Sequence, residues 1–193
     1  VKQKLSYCAL GLMFAICASA AHADAAAGAK KAQVCFACHG PQGNSRNPMY
    51  PILAGQEFRY LYFQLRDFHE GRRKDPVMSP MAANLSKQDQ IDLAEYFSHR
   101  KPVSTGFQGD PKKVAKGKAL ADQILCPMCH LGGFTGQNEV PRVAGQYRDY
   151  IAKQLRDFRA RRRTNDAGNM TAYTKSLSDT DIDDLAEYIA NLY

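Results

Sequence analysis

The stretch "CFACHG", Cys35 to Gly40, decides how this chain is read. Two cysteines flank two residues and a histidine follows at once. The grouping returns as "CPMCH" at Cys126 to His130, an offset of 91. Other stretches return with it. "PILAGQ" at Pro51 becomes "PRVAGQ" at Pro141, "QLRDF" at Gln64 recurs at Gln154, and "DLAEYF" at Asp92 becomes "DLAEYI" at Asp184, at offsets of 90, 90 and 92. Order and spacing hold throughout, so the chain is a duplicated domain.

Each half reads as helical. Phe58, Leu61, Tyr62, Leu65 and Phe68 follow helical spacing, as do Tyr147, Tyr150, Ile151, Leu155 and Phe158. Ile182, Leu185, Ala186 and Ile189 form another such stripe. Ser86 and Ser178 stand where helix N-caps belong, with Asp89 and Asp181 three residues on. Neither half shows an alternating strand pattern. Between the halves lies "KPVSTGFQGDPKK", Lys101 to Lys113, whose Pro102, Gly106, Gly109 and Pro111 read as helix breakers ahead of the basic cluster Lys112, Lys113, Lys116 and Lys118.

The N-terminus reads as an export signal. "VKQK" is a short basic start, Leu5 to Ala21 is apolar and small, and Ala21 and Ala23 stand in an A-x-A arrangement. Cleavage is expected after Ala23, which assigns 1-23 to a signal peptide, 24-105 to an N-terminal domain and 106-193 to a C-terminal domain. The apolar run is shorter than the roughly 20 residues of a spanning helix. The whole chain carries 26 Lys and Arg against 19 Asp and Glu, a formal +7; without Lys2 and Lys4 the balance is 24 against 19, or +5. Such a charge suits nucleic acid, a membrane surface or an acidic protein patch. Export argues against nucleic acid. Cys8 and Cys17 leave with the signal, so every remaining cysteine (Cys35, Cys38, Cys126 and Cys129) lies inside the two motifs.

C-x-x-C-H is the pattern of covalent haem attachment. Two thiols at this spacing add to the two vinyl groups along one haem edge, and the adjacent histidine is held beneath the iron. Three rivals exist. A redox C-x-x-C belongs in a βαβ context that this chain lacks. A zinc site built from the four cysteines has no use for a histidine after each pair. A disulfide within each pair would be strained. Two copies at matching repeat positions favour two covalent haem c groups, with Cys35, Cys38, Cys126 and Cys129 as the attachment points and His39 and His130 as proximal iron ligands. Each half is small for an independent core, and a tightly bound group supplies what such a core lacks.

Methionine thioether is the usual sixth ligand of an electron-transfer haem. Met78 lies seven residues before Leu85 in "LSKQD", and Met170 lies seven before Leu177 in "LSDTD". Met49 aligns with Glu139 and Met81 with Tyr173, so neither has a methionine twin, and Met128 sits inside the second motif. Met78 and Met170 are therefore the expected axial ligands, with Met81 as the competitor in the first half. His69 and His99 have no counterparts in the second half and are expected to face solvent. Pro51, twelve residues after His39, and Pro141, eleven after His130, are either simple turns or part of the histidines' support. Arg66 and Arg156, identically placed in "QLRDF", are candidates to meet haem propionates. The run "FRARRRTND", Phe158 to Asp166, reads as a solvated face.

Taken together, "CFACHGPQGNS", "PILAGQ", "YLYFQLRDF", "MSPMAANLS" and "DLAEYF", with their second-half equivalents, resemble the dihaem cytochrome c4 family of class I c-type cytochromes. The likeness spans essentially the whole chain after the signal. It implies an all-α fold: two tandem class I cytochrome c domains related by a pseudo-twofold, each wrapped around a covalent haem, with propionate edges toward the interface. It implies that the Pro51 and Pro141 carbonyls accept from His39 and His130. It also implies that Gly28 and Gly117 let the first helix of each domain cross the last near Tyr96 and Tyr188. The second half departs in "HLGGFTGQNEVP", which replaces "HGPQGNSRNPMYP", and in "NMTAYTKSLS", which lacks the second methionine; this puts loop shape in doubt.

The function that the resemblance implies is periplasmic electron transfer, one electron at a time, from a cytochrome bc complex to a terminal oxidase, by a carrier rather than an enzyme. Peripheral membrane association stays open. Two other readings compete: a dihaem subunit of a flavoprotein sulfide dehydrogenase, and a haem enzyme such as a peroxidase, which needs an open iron site.

Overall fold

The computed structural model describes residues 22–193. The predicted signal segment, apart from His22 and Ala23, lies outside the described residues. Among the described residues ten α-helices follow one another, five per repeat, and the only extended pairing is an isolated bridge between Gln137 and Val140. The all-α reading therefore holds.

In the first repeat, α1 (Ala25–Lys31) starts at Asp24, whose carboxylate accepts from the Ala26 and Ala27 amides. A 3-10 turn (Ala32–Cys35) leads into the motif helix α2 (Phe36–His39), then come α3 (Phe58–His69), the short α4 (Met78–Ala82) and α5 (Lys87–Ser98). The second repeat repeats the series as α6 (Pro111–Gln123), α7 (Cys126–His130), α8 (Arg148–Arg159), α9 (Asn169–Thr174) and α10 (Asp179–Ala190). Both terminal helices open with a full capping box: the Ser86 and Ser178 hydroxyls accept from Asp89 and Asp181 amides, and the aspartates accept in return. Pro111 does not break helix. It occupies the first turn of α6, where its missing N–H costs nothing, and Asp110 caps it. The unstructured linker is therefore residues 101–110, and Lys112, Lys113, Lys116 and Lys118 lie within α6.

The helical stripes turn inward as their spacing predicts. Leu61 of α3 meets Leu93, Ala94, Tyr96 and Phe97 of α5 in the first core, and Ile151 and Leu155 of α8 lie with Ile182, Leu185 and Ile189 of α10 in the second; Phe68 and Phe158 are buried beneath Arg73 and Arg163. Ile182 and Leu185 are 0% and 1% exposed, a burial that stabilises by about 2 kcal/mol each. In each repeat the first helix crosses the last at a glycine. A Cβ on Gly28 would stand 2.1 Å from the Asp92 carbonyl oxygen and 2.8 Å from Tyr96 Cβ; on Gly117 it would stand 2.0 Å from the Asp184 oxygen and 2.8 Å from Tyr188 Cβ.

The repeats meet across a polar seam with reciprocal contacts. Arg73 donates to Gln154 Oε1 (2.9 Å) and Tyr150 Oη (3.3 Å), while Arg163 donates to Gln64 Oε1 and Tyr60 Oη (both 3.1 Å). Arg73, Arg163, Gln64, Gln154, Tyr60 and Tyr150 are three pairs at the repeat offset of 90, so the reciprocity is that of a pseudo-twofold.

Candidate functional site

Each C-x-x-C-H motif forms a short helix that leads out of the crossing helix before it. His39 is 5% exposed at the end of α2, and its Nδ1 donates to the Pro51 carbonyl at 2.9 Å. His130 ends α7 and donates from Nδ1 to the Pro141 carbonyl, also at 2.9 Å. Burial pushes both imidazoles below the usual histidine range, more strongly than the proline carbonyl contact raises them. Both are thus neutral at neutral pH, the form that binds a metal. With Nδ1 engaged, Nε2 is the nitrogen left to ligate, and His39 Nε2 is buried without a hydrogen-bond partner.

The proline loop is held by the loop after the motif. Leu53 and Ala54 amides donate to the Gly43 carbonyl (2.8 and 3.2 Å), and Val143 and Ala144 amides donate to the Phe134 carbonyl (3.0 and 3.2 Å). The divergent second loop follows the same path. Gly40 (φ 71°) and Gly43 (φ 81°) are left-handed, and Leu131 (φ 62°) and Phe134 (φ 57°) take the same conformation without being glycine. Phe134 fills the space with its ring, 1% exposed and edge-on to Tyr188 at 5.7 Å.

Cys35, Cys38, Cys126 and Cys129 are not joined to one another in this structure. Burial raises the Cys35 thiol and pushes Cys126 up to about 11, the opposite of what a nucleophilic redox cysteine needs. Among the described residues no three His, Cys, Asp or Glu side chains gather as a metal site, so the four cysteines do not form the zinc alternative. What remains is two thiols beside a neutral histidine with one free ring nitrogen, twice. This donor set fits a covalent haem in each repeat.

The methionines separate by environment. Met78 opens α4 and is half-buried, and Met170 in α9 packs against the second core. Met49, Met81 and Met128 are 77%, 49% and 69% exposed, and Tyr173, the counterpart of Met81, is 47% exposed. His69 and His99 are exposed, each with Nδ1 on a backbone carbonyl, of Ala82 and Glu95 respectively.

Arg66 and Arg156, the candidates to meet propionates, are half-buried. Arg66 donates to Asp67 and stacks on Phe63 at 4.4 Å, and Arg156 pairs with Asp183 at 2.7 Å, so both are engaged within their own repeats. The buried arginines are instead Arg73 and Arg163, 9% and 8% exposed, whose side-chain partners are neutral oxygens rather than carboxylates. Arg163 lies inside the run that reads as a solvated face.

Comparison with known proteins agrees with this geometry. The cytochrome c family model matches twice, over residues 25–101 and 114–193. The chain is 43% identical to the cytochrome c4 of Azotobacter vinelandii, over 90% of this chain and 92% of that one. It is 33% identical to the thiosulfate dehydrogenase electron acceptor of Thiomonas intermedia, over 98% and 91% respectively. The crystal structure of reduced recombinant cytochrome c4 from Pseudomonas stutzeri superposes with a TM-score of 0.83 at 39% identity, covering 89% of this chain and all of that one. With paired thiols, a neutral histidine and a supporting proline carbonyl in each repeat, the chain belongs to the cytochrome c4 family and is an electron carrier with two covalent haem c groups.

Proposed function

We propose that Cys35 and Cys38 hold the first haem and Cys126 and Cys129 the second, with His39 and Met78 as axial ligands of one iron and His130 and Met170 of the other. The observation that carries this is the duplicated histidine–proline contact, with His39 Nε2 buried and unpartnered. The bound haem supplies one-electron chemistry. The chain's own part is to keep each histidine neutral and oriented through Pro51 and Pro141, and to present Met78 from the start of α4 and Met170 from α9. Fixed ligands mean little rearrangement on gaining or losing an electron. The ligand set is tested by the methionine-to-iron charge-transfer band of the ferric protein. Met78→Ala and Met170→Ala each remove about half of it, by equal partition between two equivalent sites, and Met81→Ala leaves it intact. Loss in Met81→Ala with retention in Met78→Ala would reassign the first ligand.

The carrier works in the periplasm, after cleavage behind Ala23, and passes single electrons from a cytochrome bc complex to a terminal oxidase. Among the described residues no helix is long and apolar enough to cross a membrane, which is consistent with a mobile or peripherally bound carrier. A second reading is a dedicated acceptor for a sulfur-compound dehydrogenase. A relative named for that role, aligned along nearly the whole chain, favours it. Reoxidation of the reduced protein by oxidase-containing membranes, with no dehydrogenase copurifying, supports the first reading. A dehydrogenase that copurifies at fixed stoichiometry, with slow reoxidation by membranes, supports the second.

A further inference from the structure

The repeated "AGQ" tripeptides place one glutamine from each repeat in the other. Gly55 and Gly145 are left-handed (φ 64° and 65°), and their amides donate to the last turns of α5 and α10, at Phe97 O (3.0 Å) and Ile189 O (3.1 Å). The turn so anchored sends the next side chain across the seam. Gln146 Oε1 accepts from the Ile52 amide at 2.9 Å, and its Nε2 donates to the Ile52 carbonyl at 3.0 Å. Gln56 Oε1 accepts from the Arg142 amide at 2.7 Å, and its Nε2 donates to the Arg142 carbonyl at 2.8 Å. Both glutamines are buried, 5% and 4% exposed, and each Oε1 also accepts from the following amide of its own chain segment, at Glu57 and Tyr147.

Ile52 and Arg142 directly follow the two prolines. The Ile52 N–H and the Pro51 C=O belong to one peptide group, and that carbonyl accepts from His39 Nδ1 at 2.9 Å. The Arg142 N–H and the Pro141 C=O likewise share a peptide, and that carbonyl accepts from His130 Nδ1 at 2.9 Å. Two unbroken hydrogen-bond chains therefore run between the repeats: Gln146 to the Pro51 peptide to His39, and Gln56 to the Pro141 peptide to His130.

We propose that Gln56 and Gln146 are crossed positioning residues, each setting the electron-donating strength of the other repeat's histidine ligand; this rests on His39 and His130 being the ligands proposed above. An acceptor on a peptide N–H draws the proton and leaves the carbonyl oxygen more negative, because linked hydrogen bonds polarise one another. The more negative oxygen pulls harder on Nδ1–H. The imidazole then gains anionic character, Nε2 becomes the stronger donor, and ferric iron is favoured. The two-point grip also fixes the plane of the Arg142 or Ile52 backbone, and with it the direction of the preceding carbonyl. Docking of the repeats thus tunes both irons, each from the opposite side.

The test is a redox titration of the haem-replete protein, in which each haem is followed by its own paramagnetically shifted proton resonances, including the Nδ1–H of its histidine. Gln146→Met keeps the side chain's length and removes both bonds. The N-terminal haem then becomes easier to reduce, with its reduced-to-oxidised ratio at fixed ambient potential raised about threefold, or about 28 mV by the one-electron constant of 59 mV per decade. The C-terminal haem stays put. Gln56→Met gives the mirror result. In each case the Nδ1–H of the affected histidine exchanges faster. Gln146→Asn and Gln56→Asn, one methylene too short to make both contacts, give the same crossed shifts and serve where a methionine variant does not mature. A shift confined to the haem of the substituted repeat, equal shifts in both, or no shift would overturn the proposal and leave the glutamines as docking contacts alone. Absence of shifted histidine signals in the unsubstituted protein would instead overturn the ligand assignment beneath it.

Discussion

Alanine at Gly117 tests how the second haem domain is closed. The new Cβ would stand 2.0 Å from the Asp184 carbonyl oxygen, 2.6 Å from its carbon and 2.8 Å from Tyr188 Cβ. The first of these is about 1.5 Å inside optimal contact. The atoms met include the backbone of α10, so relief requires α6 to move away from α10 as a body. Forcing one carbon into such a site costs about 3 kcal/mol, the upper end for overpacking, because no flexible side chain can yield. In urea, with a slope of about 2 kcal/mol per molar, the unfolding midpoint of the holoprotein falls by about 1.5 M. Gly132→Ala is the control: nothing lies within 4 Å of its Cβ position and its backbone is not left-handed, so its midpoint stays within about 0.5 kcal/mol of the parent. The readout is far-ultraviolet circular dichroism with haem content checked by mass. Equal midpoints for Gly117→Ala and Gly132→Ala would refute the crossing as the reason for glycine.

Two further outcomes follow from local features. Leu131 occupies left-handed backbone that its equivalent Gly40 adopts freely, so Leu131→Gly stabilises the protein by about 1 kcal/mol and raises its melting temperature; an unchanged or lower value would show that the leucine side chain contributes more than its backbone costs. Lys31 bridges Asp89 (2.8 Å) and Asp92 (2.7 Å). The Lys31 hydrogen bond holds Asp89 below the usual carboxylate range; at Asp92 burial pushes upward, but hydrogen bonds from Lys31, Gln88 and the Asp24 amide win and its value is also lowered. Carboxylates depressed on folding stabilise above their ordinary value of about 3.9 and lose that contribution as pH falls through the depressed values. Asp92→Asn therefore gives a shallower loss of stability below that pH in acid-unfolding curves, and an unaltered slope would remove Asp92 from the acid response.

Much of this molecule is legible from the repeat. Ser86 and Ser178 read as caps because a hydroxyl followed three residues later by a carboxylate has one favourable local geometry, and both form capping boxes. The stripes of α3, α8 and α10 read from spacing because each helix has a single apolar face. Pro111 misleads because proline reads as a breaker in isolation, whereas at a first helical turn after a capping Asp110 it favours the helix. Arg163 misleads because a charge run carries no sign of which member turns inward; only contact with the other repeat decides that. The same holds for Gln56 and Gln146. "AGQ" is visible as a repeated motif, but the peptide each glutamine grips lies 86 or 94 residues away, and no local pattern encodes a partner at that separation.

The proposed ligation holds both irons on both sides, as an electron carrier needs and a substrate-binding haem does not. Carbon monoxide added to the dithionite-reduced, haem-replete protein, followed by visible spectroscopy, distinguishes the two. With both positions filled, no spectral change occurs at either haem. Ready binding at one haem would mean an open or labile axial position, contradict Met78 or Met170 as a fixed ligand, and favour a haem enzyme over a carrier.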